Sequence, residues 1–420
     1  HEQGGYTQGS ANGGSEMHGV RNRVVAFAII LGLLAAGCQP AAAPGDATAA
    51  EAEPMGKGPY PVGSTNMEVA AEYADIGDEA MHGILLGRAG PSGRPRFITD
   101  ILRYPDAAWV TQARVPDEPS MYGPASGMTL PVVSFIAFPS RAQSLPKRYT
   151  FPYFDGLYGV FEDMLAPGEE PEFADTEERY PLIILAHGAS AHGLYDVRHA
   201  HSLASHGYIV AVVNFGDDRT VREGDPNFHV AYLRPLLTKA VLDSLLDSET
   251  FGPHIDADNI GITGHSFGGF TALALAGGPF LGNPSTVSDE RITAGVIAAP
   301  WVSGDLGGQE VFAFGPENGE LDRVNIPIIS FFGTNDEATP ASSILPAMKH
   351  LSGPTYVVEL VDQPHVFEGG SWEDRDNWEL LFFSAYLKHD PASLATLETA
   401  RSMQGGNEDI QHFDYQKLPD

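Results

Sequence analysis

From residue 182 onward the chain repeats one pattern: a short apolar run, then a helical segment, then another run. The runs are 182–185, 209–213, 260–263, 295–298, 328–331 and 356–360, and they are mostly continuous in Val, Ile, Leu and Phe rather than alternating with polar residues. A strand that is apolar on both faces must be covered on both faces. Helical patterns at 199–206, 232–246, 269–275 and 341–351 lie between several of the runs, and 378–388 reads as a closing helix. Strands alternating with helices in this way predict an α/β fold: a mostly parallel central sheet with helices packed on each side.

Upstream the texture differs. Segments 67–73, 97–104 and 130–138 have β-type composition and are separated by Gly/Pro-rich turns, which predicts antiparallel strands at the N-terminal side of the sheet. The aromatic stretch 151–165, followed by acidic residues, reads as an extension on the sheet edge or a flap over a cleft.

The run at 260–263 leads into Gly264-His265-Ser266-Phe267-Gly268-Gly269, and a helical pattern follows at once. G-x-S-x-G between a strand and a helix is the setting of a nucleophile elbow, where small flanking residues permit a sharp turn that lifts the serine hydroxyl to the sheet's carboxyl edge. A serine hydroxyl needs a general base, usually a histidine oriented by a carboxylate. In this arrangement acid and base follow the serine on loops after later strands, which points to Asp336 as the acid and His365 as the base. Asp305 is the rival acid, Glu337 should point elsewhere, and Asp362 reads as a turn residue. The developing oxyanion would be met by the N–H of Phe267, at the helix start, and by that of Ala189 in the loop Ala186-His187-Gly188-Ala189. His187 is read as holding that loop. His187, His192, His199 and His201 lack a clear ligand spacing, so no metal is expected, and the chemistry needs no cofactor.

At these residues the chain resembles the α/β-hydrolase superfamily, and within it the group of dienelactone-hydrolase-like proteins, platelet-activating-factor acetylhydrolase-like proteins and cutinase-type polyester hydrolases. The resemblance covers roughly residues 58–388 and includes Gly58-Pro59-Tyr60-Pro61-Val62-Gly63, His187-Gly188 and Gly264 to Gly269. It implies a serine carboxylic-ester hydrolase working through an acyl-enzyme, with a cutinase-like polyester hydrolase or a phospholipid acetylhydrolase as alternatives. Eukaryotic acetylhydrolases carry their acid just after the strand ending here at Ala298, where this chain has Ala299; that departure favours Asp336. The Pro300-Trp301 pair is similar to polyester hydrolases and makes Trp301 a candidate substrate contact. A dienelactone hydrolase proper would use cysteine as its nucleophile, and Ser266 argues against that activity. From a different class, the alternative is a lipid-anchored binding protein on a hydrolase fold that has lost its chemistry.

Charge and the N-terminus bear on where such an enzyme works. Lys and Arg number 24 against 55 Asp and Glu, a net charge of −31, which excludes a nucleic-acid binder held by a basic surface. The one cysteine, Cys38, precludes an intramolecular disulfide. Residues 17–37 have a basic start, a short apolar stretch and small residues at the end, the layout of a secretory signal too short for a comfortable membrane span. Leu34-Ala35-Ala36-Gly37-Cys38 resembles a bacterial lipobox, which implies lipidation at Cys38 and a membrane-anchored, exported protein; the alternative is an ordinary signal peptide and a secreted one. Residues 1–16 read as upstream or expression-derived sequence, 38–59 as a flexible tether poor in large apolar residues, and 60–420 as one catalytic domain, expected to be a monomer.

Overall fold

The computed structural model describes residues 50–73, 75–94, 96–141, 149–153, 156–160, 163–219, 228–305, 310–368, 371–404 and 413–417. Cys38 and the signal segment lie outside the described residues, as does the start of the expected tether.

The strands of the central sheet, in chain order, are β1 (Val62–Ser64), β2 (Trp109–Arg114), β3 (Thr129–Pro139), β4 (Asp163–Met164), β5 (Tyr180–Ala186), β6 (Ile209–Asn214), β7 (Ile255–His265), β8 (Ile292–Ala298), β9 (Ile328–Gly333), β10 (Thr355–Leu360) and β11 (Phe413–Lys417). They are ordered β11-β10-β9-β8-β7-β5-β6-β3-β1-β4, with β2 paired to β3. The block from β10 to β6 is parallel throughout. Antiparallel pairing of β3 with β6, and of β1 and β2 with β3, extends one side, while β11 closes the other side antiparallel to β10.

Side-chain alternation splits each buried strand between two cores. In β5, Tyr180, Leu182, Ile184 and Ala186 join the core on one face. Ile183 and Leu185 join the core on the other. Both faces therefore need apolar cover, which explains the continuous rather than alternating runs. Helices α2 (Phe228–Leu246), α3 (Phe267–Leu275) and α4 (Ala341–Met348) cover the first face. Helices α1 (Val197–Ser205) and α5 (Ser371–Tyr386) cover the second, with Trp378, Phe382 and Phe383 fully buried.

The N-terminal expectations hold in part. Segment 130–138 is the long strand β3, but 67–73 and 97–104 meet only at a single antiparallel bridge between Val69 and Leu102. Short 3-10 turns at Ala71–Tyr73 and Ile98–Asp100 interrupt both, so neither runs straight for long enough to build a ladder. The position beside β3 is taken by Trp109–Arg114, whose outer residues Gln112 and Arg114 are exposed. Within 151–165 the backbone of Tyr149–Tyr153 pairs with Gly156–Val160 as a hairpin, passing near the Gly193–Asp196 turn.

Candidate active site

Strand β7 ends at His265 and α3 begins at Phe267, so the reversal between them is made by Ser266 alone. Its φ of 55° and ψ of −118° lie where L-residues are strained, at a cost of about 1–3 kcal/mol. The turn is pinned by Ser266 N–H donating to Ala298 O (2.8 Å) and by Trp301 N–H donating to Ser266 O (3.0 Å). The small neighbours are sterically required. A Cβ on Gly264 would lie 2.4 Å from the Gly268 carbonyl carbon, and one on Gly269 would lie 2.9 Å from Pro300 Cβ.

His365 Nε2 lies 2.9 Å from Ser266 Oγ, and His365 Nδ1 lies 2.8 Å from Asp336 Oδ2. The three residues come from three loops at the sheet's carboxyl edge, after β7, β9 and β10. Gly333 lets the last two loops meet: a Cβ there would be 2.1 Å from Gln363 O. Asn335 N–H donates to that same Gln363 carbonyl at 3.0 Å, tying the Asp336 loop to the His365 loop.

Asp336 is buried, and burial is the largest single influence on its carboxyl group, pushing the pKa up. Hydrogen bonds from His365, the Thr339 amide and the Thr339 hydroxyl, with the histidine's charge, outweigh burial and hold it below the usual carboxylate value. The amides of Ala338 and Thr339 both donate to Oδ1 at 2.8 Å, and Thr339 Oγ1 reaches Oδ2 at 2.8 Å. With Asp336 ionised, His365 is assigned the tautomer that donates from Nδ1 and accepts the serine proton at Nε2. Glu337 is exposed, and Asp362 is an exposed turn residue with φ of 59°. Asp305 ends the strand Ser303–Asp305 of a separate hairpin, and its side chain lies outside the described residues.

The loop after β5 runs beside the elbow. A Cβ on Gly188 would lie 3.5 Å from Ser266 Cβ, which puts the Gly188–Ala189 peptide against the serine. Phe267 supplies the first amide of α3, one that no intrahelical carbonyl can satisfy. His187 is buried behind the loop: Nδ1 is 2.8 Å from Gly188 O, and Nε2 accepts from Phe215 N–H at 3.3 Å. Burial, and then the nearby Arg234 charge, lower its pKa to about 3, so it stays neutral. His265, lowered to about 4 chiefly by burial, lies 2.7 Å from the His365 carbonyl oxygen through Nε2.

A cavity of about 570 Å³ opens beside these residues, bordered by Gly188, Ala189, Tyr195, Arg198, Val366 and Trp372 among others. Trp301 is not among its lining residues. Its partly buried ring packs on Phe267 (5.7 Å between centroids) and Phe270 (5.5 Å), next to the elbow.

The four histidines considered for a metal are dispersed. His192 stacks on Tyr195 and His201 sits edge-on to Phe135. His199 faces Asp376 and Glu379, with ligand atoms close enough for a cation. The Arg375 guanidinium already lies among them, 2.8 Å from His199 Nε2, 3.0 Å from Asp376 and 3.1 Å from Glu379, where a cation would sit. Sequence reasoning did not single out this cluster, nor Thr339, Arg234 and Asp217; Arg234 reaches the His187 and Gly188 carbonyls 47 and 46 residues away, and the Arg375 cluster is completed by His199 176 residues away.

The fold and the elbow together define a class. The family model described as the alpha/beta hydrolase family matches residues 183–413, more than half of the chain, and the chain belongs to that family: it is a hydrolase. Among curated proteins it is similar to platelet-activating factor acetylhydrolase of Bos taurus, 28% identical over 194 residues, which cover 35% of this chain and 40% of the bovine protein. The enzyme of the same name from Canis lupus familiaris is 28% identical over 173 residues, covering 30% of this chain and 36% of its own length. The matched segments thus span well under half of these relatives.

Proposed function

We propose that the protein is a serine carboxylic-ester hydrolase acting on extracellular esters. The observation that carries this reading is the continuous relay from Ser266 Oγ through His365 to Asp336, at 2.9 and 2.8 Å. In the proposed reaction Ser266 Oγ bonds to the ester carbonyl carbon while its proton passes to His365 Nε2. The carbonyl π electrons move to oxygen, and the oxyanion is met by the Ala189 and Phe267 amides. Collapse breaks the bond to the alcohol, which leaves with the proton from His365. Water then repeats the sequence on the acyl-enzyme: His365 takes its proton, the acid departs and the proton returns to Ser266. Asp336 stays ionised and holds the imidazolium. Trp301, beside Phe267, is the proposed acyl-side contact.

A phospholipid acetylhydrolase is the second reading, favoured by the similarity to the two mammalian platelet-activating factor acetylhydrolases. A polyester hydrolase rests on the Pro300-Trp301 pair alone. Export with a lipid at Cys38 belongs to the same proposal; full-length protein should fractionate with membranes and Cys38→Ser should not.

A fluorophosphonate probe with intact-mass readout tests the chemistry. The expected result is one covalent adduct on the wild type and none on Ser266→Ala. Folded wild type that takes up no probe would move the non-catalytic binding reading ahead. Matched ester and amide substrates separate an esterase from a peptidase, and a series from acetyl to palmitoyl separates the acetylhydrolase reading from longer-chain activity.

A further inference from the structure

Arg234 is fully buried in α2, yet its guanidinium serves the loop after β5 rather than its own helix. It donates to the carbonyl oxygen of His187, and to that of Gly188 at 3.0 Å. Its charge is matched by Asp217, which accepts from Nε at 3.1 Å and from a second guanidinium nitrogen. Burial, the largest influence, pushes the Asp217 carboxyl up, but Arg234 outweighs it and keeps the pKa below the usual value. The guanidinium carbon is 4.5 Å from the centre of the Phe215 ring and 4.7 Å from that of Phe267. One side chain therefore holds the carbonyl of the Gly188–Ala189 peptide on one side of the serine and packs on the Phe267 ring on the other.

Peptide planarity converts these contacts into a consequence. The Gly188 carbonyl and the Ala189 N–H belong to one rigid trans unit and point in opposite directions, so whatever fixes the carbonyl fixes the amide. The Gly188 oxygen is held by Arg234 and also by His187 Nδ1 at 2.8 Å. His187 can donate there because its other nitrogen accepts the Phe215 amide. Two donors on that oxygen also draw electron density from the peptide and strengthen its N–H as a donor.

We propose that Arg234, aimed by Asp217, is a positioning residue that sets the Ala189 amide of the oxyanion site; this rests on the ester-hydrolase reading above. An oxyanion forms only along the reaction path, so the loss should appear in kcat and not in KM. The variants are Arg234→Lys, which keeps charge without the fork, the paired Arg234→Met/Asp217→Asn, which leaves no lone buried charge, and Asp217→Asn, which loosens the aim. They are compared on a p-nitrophenyl ester with known folding, alongside affinity for a boronic acid whose tetrahedral adduct places an oxygen at the oxyanion position.

The expected result is a fall in kcat of about a hundredfold for both Arg234 variants and about tenfold for Asp217→Asn, with KM within about twofold. Boronate affinity should fall in step, and the pH profile of kcat/KM should keep its shape because His365 and Asp336 are untouched. Folded variants with wild-type kcat overturn the proposal, as does a rate loss without loss of boronate affinity. If the Arg234 variants do not fold, an unchanged kcat in Asp217→Asn overturns it. Failure of the underlying reading has a different signature: wild type that turns over no ester, or Ser266→Ala that turns over as fast as wild type.

Discussion

Gly268 lies so close to strand β5 that a Cβ on it would sit 1.9 Å from the Ala186 carbonyl oxygen. The helix that follows the serine and the strand that carries the loop beside it are therefore in backbone contact, and this contact sets the spacing of the site. Gly268→Ala must move one backbone away from the other. We expect a loss of stability of about 3 kcal/mol or more, with activity falling further than stability explains. Gly319→Ala, where a Cβ meets nothing within 4 Å, is the control and should change stability by less than about 0.5 kcal/mol. Denaturant midpoints decide it; equal stability of the two variants would contradict the packing argument.

Thr339 is the residue that holds the acid. Thr339→Val keeps the shape but removes the hydroxyl that reaches Asp336 Oδ2, leaving His365 on that oxygen and the two backbone amides on Oδ1. A buried hydrogen bond to a charged group contributes about 1.5–3 kcal/mol, so kcat/KM should fall by about tenfold or more. Thr339→Ser should recover most of it. Wild-type kcat/KM in Thr339→Val would contradict the role given to the hydroxyl.

The acid limb of kcat/KM should follow uptake of a single proton. His187 and His265 sit next to the site, but burial lowers them to about 3 and about 4, so both are already neutral across the range in which an ordinary histidine titrates. A log–log slope near one is the expected result, and a slope near two would show that His187 or His265 takes up a proton as well.

His199 gives the opposite sign in stability. Burial is the largest influence and lowers its pKa, but Asp376 and Glu379 outweigh burial and the Arg375 charge, raising it to about 9. A folded value above the unfolded one, near 6.5, means the stabilisation is complete below about pH 6.5 and is lost as pH climbs through about 9. The melting temperature should therefore drop by several degrees between pH 7 and 10, and His199→Gln should lose most of that dependence. A wild-type profile as flat as the variant's would contradict the ionised cluster.

Much of this fold is legible in sequence because the parallel strands are buried on both faces. Runs such as 182–185 and 209–213 need apolar residues at every position, and that texture cannot be mistaken for a half-exposed strand. The elbow is legible for a related reason, since Gly264, Gly268 and Gly269 around Ser266 are demanded by contacts of 1.9 to 2.9 Å that no side chain could survive. Trp109–Arg114 was missed because only Thr111 and Ala113 are buried there, too short an alternation to separate from a loop. Segments 67–73 and 97–104 were over-read: their apolar residues pack into the core from 3-10 turns, where β-type composition carries no ladder. Arg234 and Asp217 had no local signal. An arginine in an apolar helix and an aspartate after a strand acquire meaning only when the fold brings them to the Gly188 carbonyl.

The central claim is that Ser266 is the nucleophile of an ester hydrolase. Its most direct test is the steady-state rate on p-nitrophenyl acetate for protein lacking the first 38 residues, wild type beside Ser266→Ala, with folding checked for both. The account predicts turnover by the wild type and a loss of at least about a thousandfold in the variant. Turnover by Ser266→Ala within about tenfold of wild type, or no turnover by folded wild type on any ester from acetyl to palmitoyl, would contradict it.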